Sequence, residues 1–555
     1  MCGIAGFFGQ HIGFPKNDSE FLNSLEPLKR RGPDNQSIWR KDNVSLGHTR
    51  LSIIDLTEEA NQPFIREDLG LTIVFNGEIF NYVELREELK KNGYQFQSSS
   101  DTEVILCAWH LWGVSALHKF NGMWAFGIYN QLNDSLTLCR DRFGIKPLYY
   151  FLADKAICFA SETNWFHQFK NLGVCVDSNL EQLENDKPYS LEGNGLTIYK
   201  NLKQILPGHI LTITNNKVNY YRWYNIFDHI KAKSFNTQTF LGLLQDSIKL
   251  RLRSDVPVAT ALSGGLDSSS IYALVLKELR QNHQKEFETN SKAFTVSFPG
   301  TDQDESKNAK KLVDELAGNW ENIALKNGIG KVENKIIYKH FDAVGREKVT
   351  AIYKIYEAMH FAGYKVSLDG HGVDEMLFGY IGNVLSCFEY ALENDSIKNA
   401  KMFGQVLTGM SEKYSLNYVD KRIEWKRVEE ARIKSRIIKW LPKRTKYFYI
   451  ELADGFNMKK FRVDSYYDQI LFQEFFIKTL PTLLRNFDKA SMYSSVEVRM
   501  PFMDYRLVEY CFSLNWKDKI KSGFSKYPLR NVMKGILPES TRINKIKIGV
   551  GTPNK

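Results

Sequence analysis

The sequence predicts two domains of different class: a layered α+β domain over residues 2–220, then an α/β domain with helical additions over residues 236–555. Length is the first indication, because 555 residues exceed what one hydrophobic core normally serves. The second is a change of pattern. Short strand-like runs with interspersed helices give way, across a polar stretch with scattered aromatics from Arg222 to Gln238, to long helical periodicity. The third is a set of buried strand-like runs separated by amphipathic helices in the second half, an α/β signature.

In chain order, Leu71-Thr72-Ile73-Val74-Phe75 and the run from Met123 to Tyr129 read as strands. Between them two helices are announced by capping boxes: Asn81-Tyr82-Val83-Glu84 opens one that stops at Gly93, and Ser100-Asp101-Thr102-Glu103 opens another that stops at Gly113. Beyond the boundary, Val256 to Leu262 and Lys365 to Leu368 read as buried strands, and the Lys-, Arg- and Trp-rich segment 421–448 as a solvated helical face. There is no internal repeat or low-complexity tract.

Hydrophobic residues at 43% and charged residues at 25% match an ordinary soluble globular protein. The 74 Lys and Arg against 64 Asp and Glu give +10, spread along the chain without a basic tail, which makes no case for nucleic acid. The seven cysteines are odd in number and contain no C-x-x-C pair, so a disulfide framework and a zinc site are disfavoured and a reducing compartment is favoured. No basic n-region precedes the first apolar residues and no 18-residue uncharged apolar run occurs. Neither a secretory signal nor a membrane span is therefore expected, and the expected location is the cytoplasm.

Two features carry chemistry. Cys2 follows the initiator methionine, and removal of Met1 would put a thiol and a free α-amine on one residue. An α-amine titrating near ~7.7–8.0 can take the thiol proton and return it to a leaving amine, with no separate histidine. The other feature is Ser263-Gly264-Gly265-Leu266-Asp267-Ser268-Ser269, between an apolar strand and a helix expected to begin near Ser268. Glycines let backbone approach phosphate oxygens, hydroxyls donate to them, and the helix N-terminus adds positive charge. A Walker A string is absent, and Gly370-His371-Gly372 is followed by Glu375 where a dinucleotide fingerprint needs its third glycine.

The loop resembles the pyrophosphate loop of the ATP-pyrophosphatases, and together with Cys2 it makes the chain similar to the glutamine-hydrolysing asparagine synthetases. The resemblance runs from Cys2 to about Pro553 and includes Arg31-Gly32-Pro33-Asp34, Gly47 to Leu56, Phe75-Asn76-Gly77-Glu78-Ile79-Phe80-Asn81-Tyr82, Ser100 to Glu103, and Arg140 to Tyr150. It implies an N-terminal-nucleophile glutaminase of αββα layering, followed by an ATP-pyrophosphatase domain. It also implies roles. Cys2 is the nucleophile, with Asn76 and Gly77 stabilising the oxyanion; Arg50 takes the glutamine carboxylate, and Glu78 and Asp101 its ammonium. Leu262, Ser263, Gly264, Gly265, Asp267, Ser268, Val296, Asp369 and Gly370 line the ATP site. Asp267 and Asp374 are the expected Mg2+ contacts, and Lys526 stabilises charge as ammonia attacks an acyl-adenylate. Asp374-Glu375 and Asp488-Lys489 also match family positions, as structural or acceptor-site residues. The partners implied are glutamine, ATP and aspartate or another small carboxylate, with a homodimer left open and neither nucleic acid nor membrane.

The chain departs from the family at Asp369-Gly370-His371-Gly372-Val373-Asp374-Glu375, where His371 stands at the position of an acid associated with forming the aspartyl-adenylate. A family Asp-Glu-Pro string appears as Asp342-Ala343-Val344, and the chain stops near Pro553, where many family members continue. A histidine supplies no fixed negative charge. Aspartate is the leading acceptor; the alternatives are a sugar acid or secondary-metabolite carboxylate under the same chemistry, and a glutamine- or nucleotide-sensing protein without turnover.

Overall fold

Two six-stranded antiparallel sheets stack face to face in the first part of the computed structural model, which describes residues 2–11, 13–153, 156–186, 189, 191–214, 217–282, 284–325, 348–411, 414–434 and 447–546. One sheet orders its strands Leu202–Gln204, Tyr149–Ala153, Ala156–Ala160, Gly3–Phe8, Val44–Arg50 and Asn35–Lys41. The other runs Lys217–Arg222, His209–Thr214, Ser135–Arg140, Gly122–Asn130, Leu71–Ile79 and Phe64–Arg66. Alternation explains the layering. In the strand Gly3–Phe8, Ile4 and Phe8 enter the core between the sheets beside Val74, Leu138 and Phe159, whereas Ala5 and Phe7 face outward onto Phe21 and Trp165. Helix Asp18–Ser24 covers that outer face, and helices Tyr82–Lys91 and Asp101–Trp112 cover the other, giving αββα.

Both strand expectations in this half fall inside longer strands, and both helices form, but their caps differ from a capping box. Asn81 occupies the N-cap of the first without a side-chain cap bond; its amide binds Lys119 and Asn121 backbone instead, and Glu84 pairs with Arg253. Ser100 does cap the second by accepting from the Thr102 N–H. Its Glu103, however, is drawn into the 97–98 loop and Arg66. In each case a tertiary ionic partner outcompetes the local bond.

The second part is built on a five-stranded parallel sheet ordered Asn319–Ala324, Lys292–Ser297, Val258–Ala261, Val366–Leu368, Glu497–Arg499. In chain order this is 3-2-1-4-5, so the direction of winding reverses between Val258–Ala261 and Val366–Leu368. Their carboxyl ends therefore open the crevice where doubly wound sheets hold ligands. Helix Leu266–Asn282 starts two residues before the expected Ser268. Helix Leu416–Lys434 accounts for the start of the basic segment. The remainder of that segment to 446, Asp342-Ala343-Val344 and the terminal residues around Pro553 lie outside the described residues. Among the described residues no helix is long and apolar enough to cross a membrane.

The two parts meet through buried charges. Arg31, on the loop before strand Asn35–Lys41, donates from Nη1 to Glu162 Oε1 (2.5 Å) and from both terminal nitrogens to the Asp488 carboxylate (2.8 and 3.2 Å). Lys489 closes the cluster 3.6 Å from Glu162 Oε2. Arg31 is 2% exposed and Asp488 4%. At such depth, deleting the cation leaves two buried carboxylates short of a partner. We predict that Arg31→Met destabilises the protein by about 3–5 kcal/mol in urea unfolding; a loss below about 1 kcal/mol would mean that the pair behaves as a solvated one.

Candidate functional site

The strand Leu71–Ile79 and the first strand of the chain bring Cys2 and Asn76 together. The Cys2 backbone N–H donates to Asn76 Oδ1 (3.1 Å), and the thiol lies 4.0 Å from the Leu51 carbonyl. Accepting an N–H through Oδ1 orients the Asn76 amide, so its Nδ2 faces elsewhere; that nitrogen is buried and has no hydrogen-bond partner. Gly77 follows, and a Cβ there would stand 2.1 Å from the Met123 carbonyl, so no side chain could pass this point of close strand approach. Burial pushes the Cys2 thiol pKa up. It is therefore protonated at neutral pH and needs a base at hand to react. Among the described residues no histidine lines the pocket around it.

That pocket is lined among others by Cys2, Arg50, Gly77, Glu78, Asp101 and Glu497. Arg50 is anchored by the carbonyls of Asp55 and Thr57 and by Asn61 Oδ1, which take three of its five N–H donors. Asp101 accepts the Ile79 N–H (2.8 Å). Burial, reinforced by the Glu497 charge, raises its pKa to about 6. Burial and then Asp101 raise Glu78 well above the usual carboxylate range, although Arg499 lies 3.3 Å from Glu78 Oε2. A buried pocket holding three carboxylates against Arg499 favours a cationic group in the ligand.

The second set of residues converges at the crevice of the parallel sheet. In the loop after strand Val258–Ala261, Ser268 Oγ accepts the Ser263 N–H (3.1 Å), and the two hydroxyls are 3.0 Å apart. Gly264 has φ +80°, and a Cβ on Gly370 would stand 2.9 Å from the Ser268 nitrogen, so the loops after both strands are pressed together. The Leu262 N–H donates to Phe294 O, and Val296 lies half-buried on that neighbouring strand. Lys526, in the left-handed region with φ +54°, reaches across from the far end of the chain. Its Nζ donates to Asp267 Oδ2 (2.6 Å) and pairs with Asp374. Burial alone would lower its pKa, but the two carboxylates outweigh it and hold the ammonium charged.

Asp369 differs from the rest of this set: it is 2% exposed, and its carboxylate is taken by Tyr356, Ser367 and His371. His371 packs its ring on Phe487, 3.7 Å between centroids. Asp488, next on that helix, belongs to the Arg31 cluster, and so lies at the junction between the two parts of the chain. Sequence reading missed Glu497 and Arg499. Their signal is a pair of charges two apart in an otherwise apolar strand, Val496-Glu497-Val498-Arg499-Met500, which puts both side chains on one face.

For magnesium, the donor set is two carboxylates, Asp267 and Asp374, both bound to one ammonium. That suits an ion which commonly takes one or two protein carboxylates and completes its octahedron with phosphate oxygens and water. Among the described residues no cluster of three or more metal-ligating side chains occurs.

With this geometry in view, comparison with known proteins is direct. The model of a glutamine amidotransferase domain matches residues 1–224 and that of asparagine synthase matches residues 239–555. Glutamine-hydrolyzing asparagine synthetase 3 of Bacillus subtilis (strain 168) is 29% identical over 97% of this chain and 85% of its own length. Glutamine-hydrolyzing asparagine synthetase 1 of the same organism is 30% identical over 100% of this chain and 87% of its own. Amidase chyE of Penicillium rubens is 28% identical over 96% and 86%. The protein belongs to the asparagine synthase family, whose glutamine-hydrolysing members are ligases.

Proposed function

We propose that the protein forms a carboxamide from aspartate, with glutamine as nitrogen donor and ATP as activator, and that the two sites described above perform the two halves. The observation that carries the first half is the Cys2–Asn76 pairing with its buried, unpartnered Nδ2. Once Met1 is removed, the Cys2 amine takes the thiol proton. The sulfur adds to the glutamine side-chain carbonyl, and the oxyanion is received by Asn76 Nδ2 and the Gly77 N–H, each worth ~2.7–4 kcal/mol in comparable sites. Collapse breaks the C–N bond as the amine returns its proton to the departing ammonia, and water hydrolyses the thioester to glutamate. Arg50 holds the α-carboxylate, and Glu78 and Asp101 the α-ammonium.

In the second half, the Ser263–Ser268 loop and Gly370 cradle the pyrophosphate portion of ATP, with Leu262 and Val296 beside the nucleoside and Asp369 as a buried support behind Gly370. Asp267 and Asp374 would hold Mg2+, which neutralises phosphate charge when bound. Lys526 then faces the reacting phosphate and acyl groups. The acceptor carboxylate displaces pyrophosphate, ammonia displaces AMP, and the amide remains.

His371 supports a second reading, a carboxylate other than aspartate: its ring on Phe487 offers a neutral or cationic surface where an acid is usual in the family. The amidase name carried by a relative from Penicillium rubens favours the same possibility. The decisive experiment is pyrophosphate release with ATP, Mg2+ and a panel of carboxylates, using glutamine or ammonia, in wild type and Cys2→Ala. Aspartate-dependent release, lost in Cys2→Ala with glutamine but retained with ammonia, is the expected result. Release only with another acid would overturn aspartate as acceptor, and loss of both nitrogen sources in the folded mutant would overturn the role of Cys2.

The acidic pocket also sets a pH dependence. A substrate ammonium binds the ionised carboxyl, and in the free pocket burial raises Asp101 to about 6. Glutamine KM should therefore be flat above that pH and rise below it, approaching tenfold per pH unit for one proton taken up. The acid limb belongs to the Glu78–Asp101 pair. Steady-state KM from pH 5 to 8 checks this; a KM that falls on acidification would contradict it.

A further inference from the structure

The glutamine pocket is not built by the glutaminase half alone. Glu497 lines it, although this residue belongs to the last strand of the parallel sheet, which pairs with Val366–Leu368. Glu497 and Arg499 project from one face of that strand, both fully buried, and Arg499 Nε donates to Glu497 Oε1 (2.6 Å). Arg499 also spends Nη1 on the carbonyls of Arg251 and Arg253, and Nη2 reaches Glu78. The strand thus supplies both the third carboxylate of the pocket and the cation that orients the first.

We propose that Glu497 is a glutamine-binding residue contributed by the synthetase half, which with Glu78 and Asp101 forms the acidic wall that receives the substrate's α-ammonium; this rests on the reading of the Cys2 pocket as the glutamine site. The groups facing Glu497 are the chain's N-terminal ammonium, Arg499 on its own strand, Lys146 from the 141–148 loop, Asp101 at a helix start, Glu78 on strand Leu71–Ile79, and Cys2. Burial opposes its charge, but the chain's N-terminal ammonium, then Arg499 and Lys146, hold it ionised, whereas burial raises Glu78 and Asp101. A ligand cation entering this wall therefore meets Glu497 as its most firmly ionised carboxylate. The position ties the two reactions together. The N–H of Asp369, at the crevice of the synthetase sheet, donates to the Arg499 carbonyl (2.9 Å), so the strand that walls the glutamine pocket also abuts the loop that carries His371.

The test is steady-state kinetics of full-length Glu497→Gln, an isosteric change that still accepts from Arg499. Glutamine KM should rise about tenfold or more, the worth of one bond to a charged group, with glutaminase kcat and ammonia-dependent pyrophosphate release little changed. Glu497→Asp keeps the charge between Arg499 and Lys146 and should raise KM by less; it serves as the test if the neutral variant does not fold. A glutamine KM unchanged in both variants, or a parallel fall in the glutamine- and ammonia-dependent activities, would overturn the proposal. Cys2→Ala measured alongside separates this from failure of the underlying reading, because glutaminase activity surviving in that variant would show that the pocket is not the glutamine site.

Discussion

The guanidinium of Arg31 is the contact on which the rest of the structure depends. Its Nε donates to the Cys2 carbonyl (3.1 Å), while its two terminal nitrogens clamp Asp488 of the second half and Glu162 of the first. One side chain therefore fixes the backbone of Cys2 and the seam between the two halves at once. The planar fork suits this better than an ammonium, since it meets a carboxylate with two bonds and a carbonyl with a third. Asp488 is adjacent to Phe487, whose ring covers His371. The two sites are thus held in register by neighbouring residues of one helix, Thr479–Tyr493.

Charge balance gives each site its character. Around Cys2 three buried carboxylates, Glu78, Asp101 and Glu497, cluster about Arg499, which pairs with two of them. In the sheet crevice the carboxylates share a cation from the far end of the chain. Two carboxylates, Asp267 and Asp374, are bound to one ammonium, Lys526, beside a glycine-rich loop in which the Ser263 N–H donates to Ser268 Oγ. The first arrangement suits an amino acid and the second a metal-bearing triphosphate.

Much of this was legible in the sequence because short-range rules were enough. Strand alternation and the change of period separated a layered α+β half from an α/β half, and the Ser263–Ser268 string marked a strand-to-helix junction within two residues of where the helix begins. The caps were less legible: Asn81 and Glu103 have the right types at the right spacing, yet Lys119, Asn121 and Arg66 claim them across tens of residues. Least legible was anything made by both halves. Arg31 and Asp488 are 457 residues apart, and Glu497 reaches a pocket whose other walls come from the first hundred or so residues. Local periodicity carries no information about such pairings, although the paired charges in Val496-Glu497-Val498-Arg499-Met500 signal that an apolar strand has ionic business on one face.

The central claim is that Cys2, freed of Met1 and backed by Asn76, is the nucleophile of the glutamine site. The most direct measurement is peptide mass analysis of the full-length protein after reaction with an electrophilic glutamine analogue. The expected result is an N-terminal peptide that begins at Cys2 and carries one label, with labelling suppressed by excess glutamine. Label on any other cysteine, or an N-terminal peptide retaining Met1 in a sample fully active with glutamine, would contradict it.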